Sequence, residues 1–154
     1  MHTESTQMWS LYAARGRGVA VRSSLRRLTH GILDTEREFC LRPMEYLDYG
    51  TDETPWGNAI WPMFCKRVEF LHEREFRILV PEFDRITDLS APVPAAGFAP
   101  EGIRIPVDLG VLVEEIVLAP ETDEQTFDTV TRIASSSSLE DRVRRSTLEE
   151  RPTF

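Results

Sequence analysis

Two cysteines, three histidines and a single lysine are all that this 154-residue chain carries of those residue types, and each scarcity narrows what it can do. Cys40 and Cys65 stand far apart, outside any CxxC or Cys/His cluster, so no zinc site is expected and both are read as buried free thiols. No apolar run approaches the ~20 residues that cross a bilayer, so no membrane span is expected. The opening MHTESTQMWS lacks a basic region followed by an apolar stretch, which predicts no secretory signal and a cytoplasmic location. Cations are outnumbered, 18 against 26 acids for a net charge of −8, which argues against a nucleic-acid binder because phosphate contacts need clustered cations. One local exception stands out: residues 1–30 hold Arg15, Arg17, Arg22, Arg26 and Arg27 against Glu4 alone. An anion site there competes with the commoner reading of arginines on a solvated face. The GxGxxG, GxxxxGK[ST], HExxH and GxSxG fingerprints are all absent, which removes the common nucleotide, zinc and serine-hydrolase signatures.

What is present reads as one α+β domain over 1–154, with a mixed, mostly antiparallel sheet flanked by short helices. ESTQMWSLYAA spaces Met8, Trp9 and Tyr12 helically, with Thr3 or Ser5 as N-cap and Gly16 and Gly18 closing it. GVAVRSS predicts a strand that runs into a short helix, SLRRLTHGIL, for which Ser24 is the N-cap. PMEYLDYG suits an edge or half-buried strand over 43–50 that ends at Gly50. Thr54 before Pro55 predicts a helix start, with Pro62 ending or kinking that helix and Lys66 near its C-terminus. From Glu73 to Val80 the period becomes two, predicting a central strand with Phe76, Ile78 and Val80 on its core face. Prolines and glycines over 84–102 predict a long flexible loop. GIRIPVDL predicts a strand, DLGVLV a helical turn capped by Asp108, EEIVLAP a strand and DRVRRSTL a last strand. ETDEQTFDTVTRIAS predicts an amphipathic helix that turns Phe127, Val130 and Ile133 to the core.

MWSLYAARGRGVAV with Met8, Trp9, Tyr12 and Gly18, MEYLDYG with Tyr46, and KRVEFLHEREFRI with Lys66, Phe70, Glu73, Glu75 and Arg77 together resemble the bacterial and phage domain-of-unknown-function family twenty-nine seventy-one. GIRIPVDLGVLVEEIVLAP and VRRSTL are similar to that family's C-terminal half. The resemblance covers most of the chain, and Phe70 stands where the family more usually has tryptophan. Family members usually begin with a further section bearing a YxY-type strand and an Asn-Asp-Pro turn, so the resemblance implies that this N-terminal section is missing here. It also implies a setting in mobile elements or antiphage defence. The GluxGlu strand is similar to that of ADP-ribosyltransferases, where a strand glutamate binds a ribose hydroxyl and stabilises an oxocarbenium-like transition state.

Glu73 and Glu75 are therefore the candidate catalytic pair, ~7 Å apart on one side of an extended strand, with Arg77 continuing the row. Arg77 would bind a phosphate or lower the carboxylates' pKa, Lys66 would steer a phosphate, and Trp9 and Tyr12 would stack a base or nicotinamide ring. Each has a plainer reading: a charged sheet face for the row, a helix C-terminus for Lys66, core packing for Trp9 and Tyr12. His72 falls opposite Glu73, so no metal is assigned. Two functions follow. One is an interaction or effector domain with a protein partner; the other is an ADP-ribosyltransferase-like or NAD-cleaving enzyme using the Glu-x-Glu strand. No resident cofactor is assigned, and NAD enters only as the substrate of the second.

Overall fold

The structure, a computed structural model, describes residues 4–13, 17–53, 60–81 and 103–149. The helix start at Thr54-Pro55 and the loop at 84–102 lie outside the described residues. The fold is α+β, and the chain divides into two compact units: Met1–Asp34 with Ile105–Phe154, and Thr35–Arg104 inserted between them in sequence.

The first unit contains α1 (Thr6–Tyr12), β1 (Val19–Arg22), α2 (Leu25–Gly31), α3 (Leu109–Leu112), β6 (Glu115–Leu118), α4 (Glu124–Ser135) and β7 (Val143–Arg145). Its sheet runs β1-β6-β7, with β1 antiparallel and β7 parallel to β6. Because β6 has a neighbour on either side, its Ile116, Val117 and Leu118 are all buried, and an unbroken apolar run rather than alternation marks it. Polar side chains set the helix starts: Ser5, Ser24, Asp108 and Asp123 each accept the backbone N–H three residues on. Val113, Ile116, Ala134 and Leu139 form the core, with Val130 and Val143 packed on it. Two expectations change here. Ile133 is 66% exposed, because a helix that turns Val130 and Ala134 to the core carries Ile133 off that face. Among its described residues, 103–109, GIRIPVDL forms no strand but a single bridge, Ile32 to Val107; Pro106 has no N–H to give a ladder, and its carbonyl accepts from Leu33 N at 3.0 Å.

The second unit contains β2 (Cys40–Pro43), β3 (Glu45–Leu47), β4 (Cys65–Arg67) and β5 (Phe76–Leu79), with 3₁₀ turns at Trp61–Phe64 and Val68–Glu73. β2 pairs antiparallel with β5, and β3 parallel with β4. The strand expected over 43–50 is split at Met44, which is buried and donates its N–H to Glu75 O at 2.9 Å. Pro62 opens a 3₁₀ turn, and after it Lys66 lies on strand β4 instead of a helix C-terminus. The Glu73–Val80 strand begins only at Phe76 and, among the described residues, has β2 as its one sheet partner, which leaves it at a sheet edge there and not at the centre. Arg74 causes this. It closes the Val68–Glu73 turn in the left-handed region at φ 45°, ψ 46°, which no continuous strand passes through. Phe76, expected in the core, is 39% exposed. Cys40 and Cys65 are free but half-buried.

Candidate functional site

In the second unit the left-handed residue Arg74 folds the chain so that Glu73, at the end of the 3₁₀ turn, and Glu75, just before β5, both reach the lysine on β4. Lys66 Nζ donates to Glu73 Oε2 and, at 3.2 Å, to Glu75 Oε2, and it lies 4.9 Å from the centroid of the Phe70 ring. Arg77 closes the other side: its Nε donates to Glu75 Oε1 at 2.6 Å and its Nη1 to the Met63 carbonyl at 2.5 Å. Parallel pairing of Tyr46 with Lys66 places the tyrosine hydroxyl to accept Glu75 N–H at 2.7 Å. Four residues nominated by the sequence, Lys66, Glu73, Glu75 and Arg77, thus converge, through a turn and not through the period of a strand.

The electrostatics of this group follow from its contacts. The Arg77 hydrogen bond outweighs burial and, with help from Lys66, holds the Glu75 carboxyl below its ordinary value. The bond from Glu73 raises the Lys66 ammonium above its own. Glu75 is therefore ionised and Lys66 protonated around neutrality, so Glu75 has no proton to give as a general acid and Lys66 no lone pair to offer as a nucleophile. Each Glu75 oxygen accepts from one cation, Oε2 from Lys66 and Oε1 from Arg77, so part of the carboxylate's acceptor capacity is already used inside the fold. Among the described residues, no group of three or more His, Cys, Asp or Glu could hold a metal ion.

Trp9 and Tyr12 belong to the first unit. They are not core residues, since α1 buries none of its side chains and Tyr12 is 65% exposed. With Glu4, Met8, Val19 and Ala20 they line a cavity of about 310 Å³. The indole Nε1 donates to Glu4 Oε2 at 3.1 Å. Glu4 also accepts from Arg144 Nη1 at 3.0 Å, Ser146 Oγ at 2.5 Å, Thr147 N at 3.1 Å and Thr147 Oγ1 at 3.2 Å. Burial pushes this carboxyl up, but the bonds from Ser146, Thr147, Arg144 and Trp9 bring it down to about 2. Arg144 passes the charge on to Glu115 at 2.9 Å, and Glu115 to Arg22 at 3.1 Å. Sequence reasoning did not single out Glu4; its one signal was to be the lone acid among the arginines of residues 1–30. Ser24 proves to be a helix cap, and Ser23 Oγ donates to the Leu112 carbonyl at 2.5 Å.

No family model, curated protein or solved structure matches this chain.

Proposed function

We propose that this chain is an interaction domain with an effector role, of the defence- or mobile-element-associated kind implied by its resemblance to family twenty-nine seventy-one, acting in the cytoplasm of a bacterium or on behalf of a phage. The observation that carries the reading is Lys66, which bridges Glu73 and Glu75 and leaves the pair committed to holding β4, the Val68–Glu73 turn and β5 together. Further support comes from the exposed apolar side chains of that same turn, Val68, Phe70 and Leu71, which suit contact with a protein partner. No helix among the described residues is long and apolar enough to cross a membrane, which fits a partner met away from the bilayer.

A second reading, an ADP-ribosyltransferase-like or NAD-cleaving enzyme, draws on one observation: Glu73, Glu75 and Arg77, three residues that the resemblance names, do gather at one point. Incubating the purified protein with NAD and candidate macromolecules separates the two. The interaction reading expects no nicotinamide release above a protein-free blank. Release that Glu75→Gln abolishes would overturn it in favour of the enzyme.

A further inference from the structure

Ladder geometry decides which backbone groups of β1 are already used. Gly18 O accepts from Ala119 N and Arg22 O from Glu114 N, each at 2.9 Å, so the even-numbered residues turn their backbone groups towards β6. Bonding alternates along an antiparallel strand, so Val19 and Val21 turn theirs to the opposite edge, where no described residue bonds them. Helices α1 and α4 lie on the faces of the sheet and leave that edge open. Arg22, Glu115 and Arg144 touch one another on one face, and Glu4, just ahead of α1, bonds Arg144 and Ser146 on that same face. Ile116 and Val143 meet Val130 and Ala134 of α4 on the other face. Val19 and Val21 are consequently 49% and 60% exposed with both helices in place, whereas every residue of β7, the other end strand, is half-buried.

An open strand edge is a template for a further strand, and proteins usually blunt one with a lysine, a proline or a bulge. Val19–Arg22 has none of these: its ladder is regular, and its one charge, Arg22, is bound to Glu114 and Glu115. We propose that the β1 edge pairs with the β1 edge of a second copy of this chain, antiparallel and with Ala20 on the two-fold axis. That register uses every open group of β1, because Val19 of one copy exchanges bonds with Val21 of the other and Val21 with Val19. The directly opposed, non-bonded pair on the axis brings its Cα atoms to about 4.5 Å, a spacing that alanine fills without crowding. On the α4 face the exposed valines of the two copies meet across the junction and leave water together. A second copy fits better than an unrelated strand, since bonding pattern, side-chain size and apolar face all match when this stretch meets itself. With four residues per strand the contact stays well below the ~1,200 Å² of a standard interface, so the dimer is weak and concentration-dependent. It involves residues of the first unit alone and does not rest on the reading of the Lys66 group.

Sedimentation equilibrium of the full chain, taken up to about 1 mM, tests the pairing. The weight-average mass rises with concentration from that of the monomer towards twice that value. Val21→Lys sets a charge on the exposed edge, opposite Val19 of the other copy, and weakens association roughly tenfold, while Val21→Thr keeps the β-branched shape and changes it little. Mild oxidation reads the register: Ala20→Cys links two copies because position 20 faces itself, and Val21→Cys, which faces position 19, adds no link above the background of Cys40 and Cys65. A monomer at every concentration would overturn the proposal and leave the edge to a strand of another protein. So would a dimer that Val21→Lys leaves intact, or one in which Ala20→Cys forms no link. Should Val21→Lys fail to fold, the unaltered chain and Ala20→Cys still decide.

Discussion

A carboxyl removed from water without partners rises in pKa; Glu4 falls to about 2 because Ser146, Thr147, Arg144 and Trp9 all donate to it. A group whose folded pKa lies below its ordinary 4.5 adds stability that is fully present above that value and is lost as pH falls towards 2. The side chain is only 13% exposed, so the contribution at neutral pH reaches up to about 3 kcal/mol. Thermal melts should show the consequence. Glu4→Gln lowers the midpoint at pH 7, and the gap to the unaltered protein shrinks as pH is taken from 4.5 down to 2; a gap that stays constant with pH would exclude the carboxylate as its source. Glu75 obeys the same sign, with Arg77 as the main cause and Lys66 as the second.

Among elements, those with strong local grammar were legible in advance. α2 and α3 each begin at a capping side chain that the sequence displays, α4 follows from its amphipathic pattern, and β6 from its apolar, β-branched run. The misreadings have separate causes: Ile133 turns off the core face of its helix, Pro106 has no N–H to give a ladder, and Arg74 interrupts a strand. Alternation from Glu73 to Val80 is genuine, but Arg74 turns left-handed, so the strand starts late. Of the site, Lys66, Glu73, Glu75 and Arg77 could be nominated from residue type, while the Glu4 hub could not, since its partners Arg144, Ser146 and Thr147 come from the far end of the chain. Gly18 is a case where an element's placement rests on one missing side chain. Gly18→Ala drives a methyl into Ala13 and should cost about 1–3 kcal/mol in denaturant unfolding, with Trp9 moving to a wetter environment. Unchanged stability would mean that α1 does not lie against β1.

For the molecule as a whole, the charge pattern that singled out residues 1–30 is partly consumed within the fold. Arg22 pairs with Glu114 and Glu115, and Arg27 Nη1 donates to the Val111 carbonyl, so two of the five arginines serve the first unit and not a bound anion. The inserted unit is knit in the same way, by Lys66 between two glutamates and by Arg77 between Glu75 and the Met63 carbonyl. Charged side chains thus act as fasteners in each unit. The most direct test is a double-mutant cycle on Lys66→Met and Glu73→Gln, read as unfolding free energy. Shared structural use predicts strong non-additivity, with the double variant no less stable than the worse of the two single variants. Losses that simply add would contradict it, because they would leave Glu73 and Glu75 free for another purpose.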